Sequence, residues 1–104
     1  MAQVFDGITV LDFTRGMAGS IATMVMADFG AEVIKVEPPG GDPFRDVPGA
    51  VQWNRGKKSV EIDLKTSGGQ LNARKLSQQA DVVIENFRPG VTKRLGIDYE
   101  KLSS

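Results

Sequence analysis

ITVLDFTRGMAGSIATMVMADFGAEVIKVE, residues 8–37, decides the fold. Its first six residues are an apolar run rich in branched side chains, the pattern of a buried strand. Thr14, Gly16, Gly19 and Ser20 then punctuate the run with glycines and hydroxyls. From Ala18 to Phe29 the apolar residues Ile21, Val25 and Phe29 recur at every fourth position, with Met24 beside them, which is one face of a helix. Gly30 stands where a helix ends in a left-handed residue. Residues 33–37 form a second strand. Helix and turns together are long enough for a right-handed crossover, so the two strands are expected to run parallel.

Outward from this unit, Pro38-Pro39-Gly40-Gly41-Asp42-Pro43 excludes regular structure. It opens a loop of about a dozen residues or more toward Trp53, a length that inside a compact domain usually marks function or disorder. After the basic cluster Arg55, Lys57 and Lys58, residues 59–64 alternate polar and apolar as a third strand. Residues 71–80 read as a helix capped by Ser67, with Leu71 and Leu76 facing inward and Gly68 and Gly69 weakening its first turn. Residues 81–85 are a fourth strand, residues 86–90 a turn, and a short helical piece ends at Leu95-Gly96. Another helical turn begins at Tyr99 and reads as cut rather than finished. The fold class is therefore α/β, a Rossmann-like mostly parallel sheet with flanking helices.

Composition narrows the chemistry. The chain has 104 residues, and its 13 Lys+Arg balance 13 Asp+Glu, which argues against a nucleic-acid binder. No apolar run approaches the ~20 residues of a membrane span, and the first 16 residues lack the pattern of a secretory signal, so a cytoplasmic location is expected. Without Cys there is no thiolate nucleophile, disulfide or thiolate-ligated metal, and without His there is no imidazole base or ligand. Catalysis by this chain alone would need carboxylates, Lys, Tyr or backbone donors.

In open α/β sheets ligands lie beyond the carboxyl ends of the strands, where three clusters fall: residues 15–19, 38–45 and 86–90. The first joins a strand to a helix start, where free N–H groups and the helix dipole favour an anion; it is equally a tight turn that needs glycine. Glu37 ends the second strand about 20 residues after that turn, where a dinucleotide fold places its ribose-binding acid. The middle glycine of that motif is missing and two prolines follow, so a solvent-facing strand-end carboxylate stands beside that reading. Arg55, Lys57 and Lys58, and likewise Arg88 and Arg94, are either solvated charges or phosphate ligands.

Six phrases taken in order tie these clusters together: LDFTR (11–15), DFGAEVIKVE (28–37), GDPFR (41–45), NRGKKS (54–59), ADVVIENFRPG (80–90) and RLG (94–96). Over nearly the whole chain they resemble the class III CoA-transferase (CaiB/BaiF) family. The resemblance implies that residues 1–104 are the amino-terminal, CoA-binding part of a larger domain. It implies a cradle in which Gly16, Met17 and Ala18 supply the turn, Ile62 and Lys65 an apolar and a basic contact, Asn86 and Phe87 the cleft lining, and Arg94 a cation near the phosphates. The family often has an arginine directly after the strand-end acid; here that position is Pro38, so Arg45 stands in or nucleotide affinity falls.

The family's nucleophilic aspartate lies beyond residue 104, so the resemblance implies no catalytic residue here and a chain inactive alone. The implied partners are an acyl-CoA and a carboxylic acid, with coenzyme A as substrate and no permanently bound cofactor. The family's interlocked homodimers imply that the isolated chain exposes apolar helix faces and a strand edge. Three alternatives remain open: a 2-methylacyl-CoA racemase of the same family, a non-catalytic dinucleotide-binding module, and a non-catalytic subunit or truncated product whose sheet serves only assembly.

Overall fold

The structure, a computed structural model, describes residues 3–41, 43 and 49–102. Four strands form one parallel sheet in the order β3-β2-β1-β4: β1 is Thr9–Asp12, β2 Glu32–Glu37, β3 Lys57–Glu61 and β4 Val82–Ile84. The helices are α1 (Met17–Asp28), α2 (Ala50–Trp53), α3 (Ser67–Gln78), α4 (Val91–Arg94) and α5 (Tyr99–Leu102). The parallel α/β architecture expected from the sequence is the one observed. In register, Val10 stands between Val33 and Val82, and Asp12 between Lys35 and Ile84.

Period-two alternation divides the sheet between two cores. On one face Leu11, Phe13 and Val36 pack with Ile62, Leu64, Ala73 of α3 and Ile97. On the other, Val10, Val33 and Ala31 pack with Met26 and Ala27 of α1. The α1 face turns polar toward the carboxyl ends of the strands, where Asp12, Lys35 and Glu37 are buried.

Helix α1 ends as the sequence requires. Gly30 adopts φ 105°, its N–H donates to Ala27 O at 3.1 Å and the Ala31 N–H donates to Met26 O at 3.0 Å, the paired bonds of a Schellman close. The apolar stripe read along this helix points outward: Ile21, Val25 and Phe29 are 38%, 42% and 50% exposed, with Met24 half-buried beside them and Met17 58% exposed at the helix start, while Ser20 and Thr23 are buried. Toward the carboxyl ends of the strands the sheet beneath offers buried charge, so there the helix lays its hydroxyl side down.

Three expectations are corrected. The third strand begins at Lys57, two residues before the alternating stretch, because the Lys57 ammonium finds a buried carboxylate on β1. Helix α3 starts earlier than residue 71 and is capped by Thr66, whose hydroxyl accepts from the Gly69 N–H at 3.0 Å; Ser67 is its first helical residue. Leu71 is 48% exposed, whereas Ala73 is buried and Leu76 packs on the core. Five residues of helix rotate by about 140° beyond a full turn, so Leu71 and Leu76 cannot share a face.

Two predictions follow from these contacts. A Cβ at Gly19 would lie 2.5 Å from Thr14 Cβ, whereas one at Gly68 meets nothing within 4 Å. Gly19→Ala is expected to lower stability by ~1–3 kcal/mol, while Gly68→Ala raises it by ~0.5–1 kcal/mol, as read by urea unfolding. The second concerns the exposed Arg55–Asp28 pair, bonded at 2.7 Å and 3.2 Å, which ties the turn before β3 to the end of α1. Hydrogen bonding from Arg55 lowers the Asp28 pKa, opposed by desolvation and aided by the charge of Arg55. This contribution is complete above the unfolded aspartate value of ~3.9 and is lost as pH falls through the lower folded value. Arg55→Ala should therefore lower the urea midpoint at neutral pH, less so in high salt, and the two midpoints should converge once Asp28 is protonated.

Candidate functional site

The chain passes from β1 through β2 to β3 on one side of the sheet, then returns to place β4 on the other side of β1. The connections leaving β1 and β4 therefore diverge, and their carboxyl ends form a topological switch point, where open α/β sheets place a ligand crevice. The turn through Gly16 leaves β1 here and the turn through Asn86 leaves β4. Asn86 joins them reciprocally: its Oδ1 accepts from the Arg15 N–H at 2.9 Å and its Nδ2 donates to Arg15 O at 2.7 Å. The Phe13 N–H adds a bond to Ile84 O at 2.8 Å.

Arg15 closes the neighbouring strand ends. Its Nη1 donates to Phe13 O, Thr14 O and Val36 O at 3.1, 3.1 and 2.8 Å, and its guanidinium carbon lies 5.9 Å from the centre of the Phe87 ring. The cation thus meets the partial negative charge of carbonyls at the ends of β1 and β2 and the face of an aromatic ring. Phe87 is half-buried against the core cluster that contains Ile62.

Of the residues expected to form a cradle, Asn86 and Phe87 lie against Arg15, the residue that precedes Gly16, Met17 and Ala18. Gly16 has φ 80°, and among the described residues no side chain caps the first turn of α1 that follows it. Met17 and Ala18 are exposed. Ile62 is 6% exposed and is a core residue beneath Phe87. Lys65 and Arg94 are exposed, and neither side chain donates to another described residue. Their turns meet at Gln70, whose Nε2 donates to Leu64 O at 2.9 Å and whose side chain lies against Gly96. Arg45, the alternative cation to the one replaced by Pro38, lies outside the described residues.

The basic cluster does not act as one patch. Arg55 pairs with Asp28, Lys58 pairs with Glu32 at 3.0 Å on the exposed edge, and Lys57 is buried against Asp12 at 3.3 Å. Alternate strand residues point to opposite faces, so adjacent lysines must part. Glu37 is 5% exposed, which corrects the reading of a solvent-facing carboxylate. Sequence reasoning missed the network around Asp12, in which Thr14, Thr23 and Lys57 all donate to one carboxylate. Its local half was legible as Asp-x-Thr at the end of a strand, the spacing of an Asx turn. Lys57, 45 residues away, gave no such signal.

The open parallel sheet, with two strand-end turns hydrogen-bonded across its switch point, defines an α/β fold of the doubly wound kind. Residues 5–104 match the family described as CoA-transferase family III, and the chain belongs to that family. It is 43% identical to a probable fatty acyl-CoA transferase of Mycobacterium tuberculosis, over 99% of this chain and 29% of that protein. It is 44% identical to a succinyl-CoA–D-citramalate CoA-transferase of Chloroflexus aurantiacus, over 93% of this chain and 27% of that one. A crystal structure of the mycobacterial protein superposes with a TM-score of 0.92 at 47% identity, covering 97% of this chain and 29% of the other. A CaiB/BaiF family protein from Brucella suis superposes with a TM-score of 0.88 at 37% identity, covering 99% and 31%. The chain therefore spans less than a third of the length of these relatives. No helix among the described residues is long and apolar enough to cross a membrane.

The two Asn86 bonds give a direct prediction. Asn86→Ala is expected to cost ~1–2 kcal/mol in urea unfolding and to speed exchange of the Arg15 amide hydrogen, because both bonds between the turns are lost together.

Proposed function

We propose that this chain is the CoA-binding part of an enzyme that transfers CoA between carboxylic acids. The observation that carries the reading is the junction of the Gly16 and Asn86 turns at the switch point, in a chain of the CoA-transferase family. The first-turn N–H groups of α1, at Met17 and Ala18, suit a phosphate or carbonyl oxygen, since a helix start carries partial positive charge. Phe87 offers apolar surface to the adenine or pantetheine, and Ile62 belongs to the buried core that supports it. Lys65 and Arg94 offer two free cations on adjoining turns to the phosphates, the Arg as a planar fork.

The transfer itself uses an aspartate outside residues 1–104. Its carboxylate attacks the thioester carbonyl of the donor acyl-CoA and the CoA thiolate leaves, giving an acyl-aspartyl anhydride. The thiolate then attacks the aspartyl carbonyl, releasing the first carboxylate and leaving an aspartyl-CoA thioester. The acceptor carboxylate repeats the two steps in reverse order and regenerates the aspartate. In this scheme the present residues hold the departing thiolate's carrier in place through both exchanges, so that each attack is effectively intramolecular. The outward stripe of Met17, Ile21, Val25 and Phe29 supports assembly of α1 against further protein, as in a homodimer.

Calorimetry and thermal shift test the reading on the protein in its full natural length. CoA should bind and raise the melting temperature, and NAD should not; the reverse pattern returns the fold to the dinucleotide alternative. Lys65→Ala and Arg94→Ala should each weaken CoA by ~1.5–3 kcal/mol if the phosphates exclude water from the pair.

A further inference from the structure

Asp12 ends β1 with no solvent exposure, and its two oxygens accept from four donors. Oδ1 takes the Thr14 N–H at 2.8 Å and the Thr14 hydroxyl at 2.6 Å. Oδ2 takes the Thr23 hydroxyl at 2.7 Å and the Lys57 ammonium at 3.3 Å, and the same ammonium donates to Ser20 O at 3.0 Å. One carboxylate thus ties together the turn after β1, the buried side of α1 and the start of β3. Sealing an ion pair from water is costly, and apolar residues of like volume often hold a fold as well or better. Apolar residues cannot set a direction, however. Thr14 gives both its N–H and its O–H to one oxygen, which fixes the backbone that continues into Arg15 and Gly16. Thr14 in turn sets the approach of α1, since no Cβ fits between it and Gly19.

We propose that Asp12 is a positioning residue for ligand binding, aiming the residue 15–19 turn and the first turn of α1 at the switch-point crevice through Thr14, with Thr23 and Lys57 holding the carboxylate in place. The role rests on the CoA reading above. It assigns the buried pair a purpose that folding alone does not require: the N–H groups of the turn must meet a ligand oxygen at hydrogen-bond distance, and a small rotation of the turn removes that alignment.

Two sets of variants in the protein of full natural length test this by calorimetry with CoA beside urea unfolding. Thr14→Val keeps the shape that packs on Gly19 and loses the hydroxyl, whereas Thr14→Ser keeps the hydroxyl and loses a methyl. Positioning predicts CoA binding about tenfold weaker for Val and within about twofold of the native protein for Ser. Packing alone predicts the opposite order, and that order overturns the proposal. The paired variant Asp12→Leu with Lys57→Met removes both buried charges but leaves the Thr14 N–H and hydroxyl without their acceptor, so it is expected to lower the urea midpoint and to bind CoA about tenfold more weakly or worse. Native affinity in a folded paired variant overturns the proposal, and if that variant does not fold, the Thr14 pair decides alone. A native protein that ignores CoA brings down the CoA reading and this role with it. Native CoA binding with every variant unchanged removes only the role of Asp12.

Discussion

The Asp12 carboxylate, enclosed by Thr14, Thr23 and Lys57, is the constraint on which the rest of the arrangement depends. A buried carboxylate must have its lone pairs filled, and here the donors come from three different parts of the chain. The turn residue supplies two donors, the helix one and the first residue of β3 one. Removing one partner from such a pair typically costs ~3–5 kcal/mol, because the other charge stays buried and uncompensated. The order of strands β3-β2-β1 is reinforced by charge as well as by backbone ladders, since Lys57 reaches across β2 to β1.

The same constraint explains the orientation of α1. A helix with Ile21, Val25 and Phe29 on one side would ordinarily turn that side to the sheet. Here the sheet surface near the strand ends carries Asp12 and Lys35, and Lys35 is engaged with Asn54 Oδ1 at 2.9 Å. Ser20 and Thr23 are small enough to approach this surface, and the Thr23 hydroxyl bonds to it, so the hydroxyl side packs inward. The apolar stripe is left outside as a consequence of satisfying charge beneath. The other side of the sheet has no such demand, and α3 packs there by apolar contact through Ala73 and Leu76.

The crevice depends on short-range polar geometry more than on any single ligand group. Asn86 locks the two turns backbone to side chain, and Arg15 spends its guanidinium on strand-end carbonyls and the Phe87 face. Arg15 therefore braces the crevice, while Lys65 and Arg94 keep their charges uncommitted on turns that meet at Gln70. Among the described residues the cations divide into those that hold the fold and those still available to an anion. The sequence showed them only as clusters.

Residues 8–37 by themselves determined the β-α-β unit, its parallel sense and the close of α1 at Gly30, because periodicity, glycine placement and crossover length are local properties. Family membership was also legible in the sequence, since the phrases that carry it lie in order from residue 11 to residue 96. Only the tertiary structure decided that the apolar side of α1 faces out, that Leu71 is exposed while Leu76 packs, and that Arg55, Lys57 and Lys58 go to separate partners. Each of these depends on which surface lies opposite a residue. Asp12 and Lys57 are 45 positions apart, and no local pattern encodes a partner that the sheet alone brings within 3.3 Å.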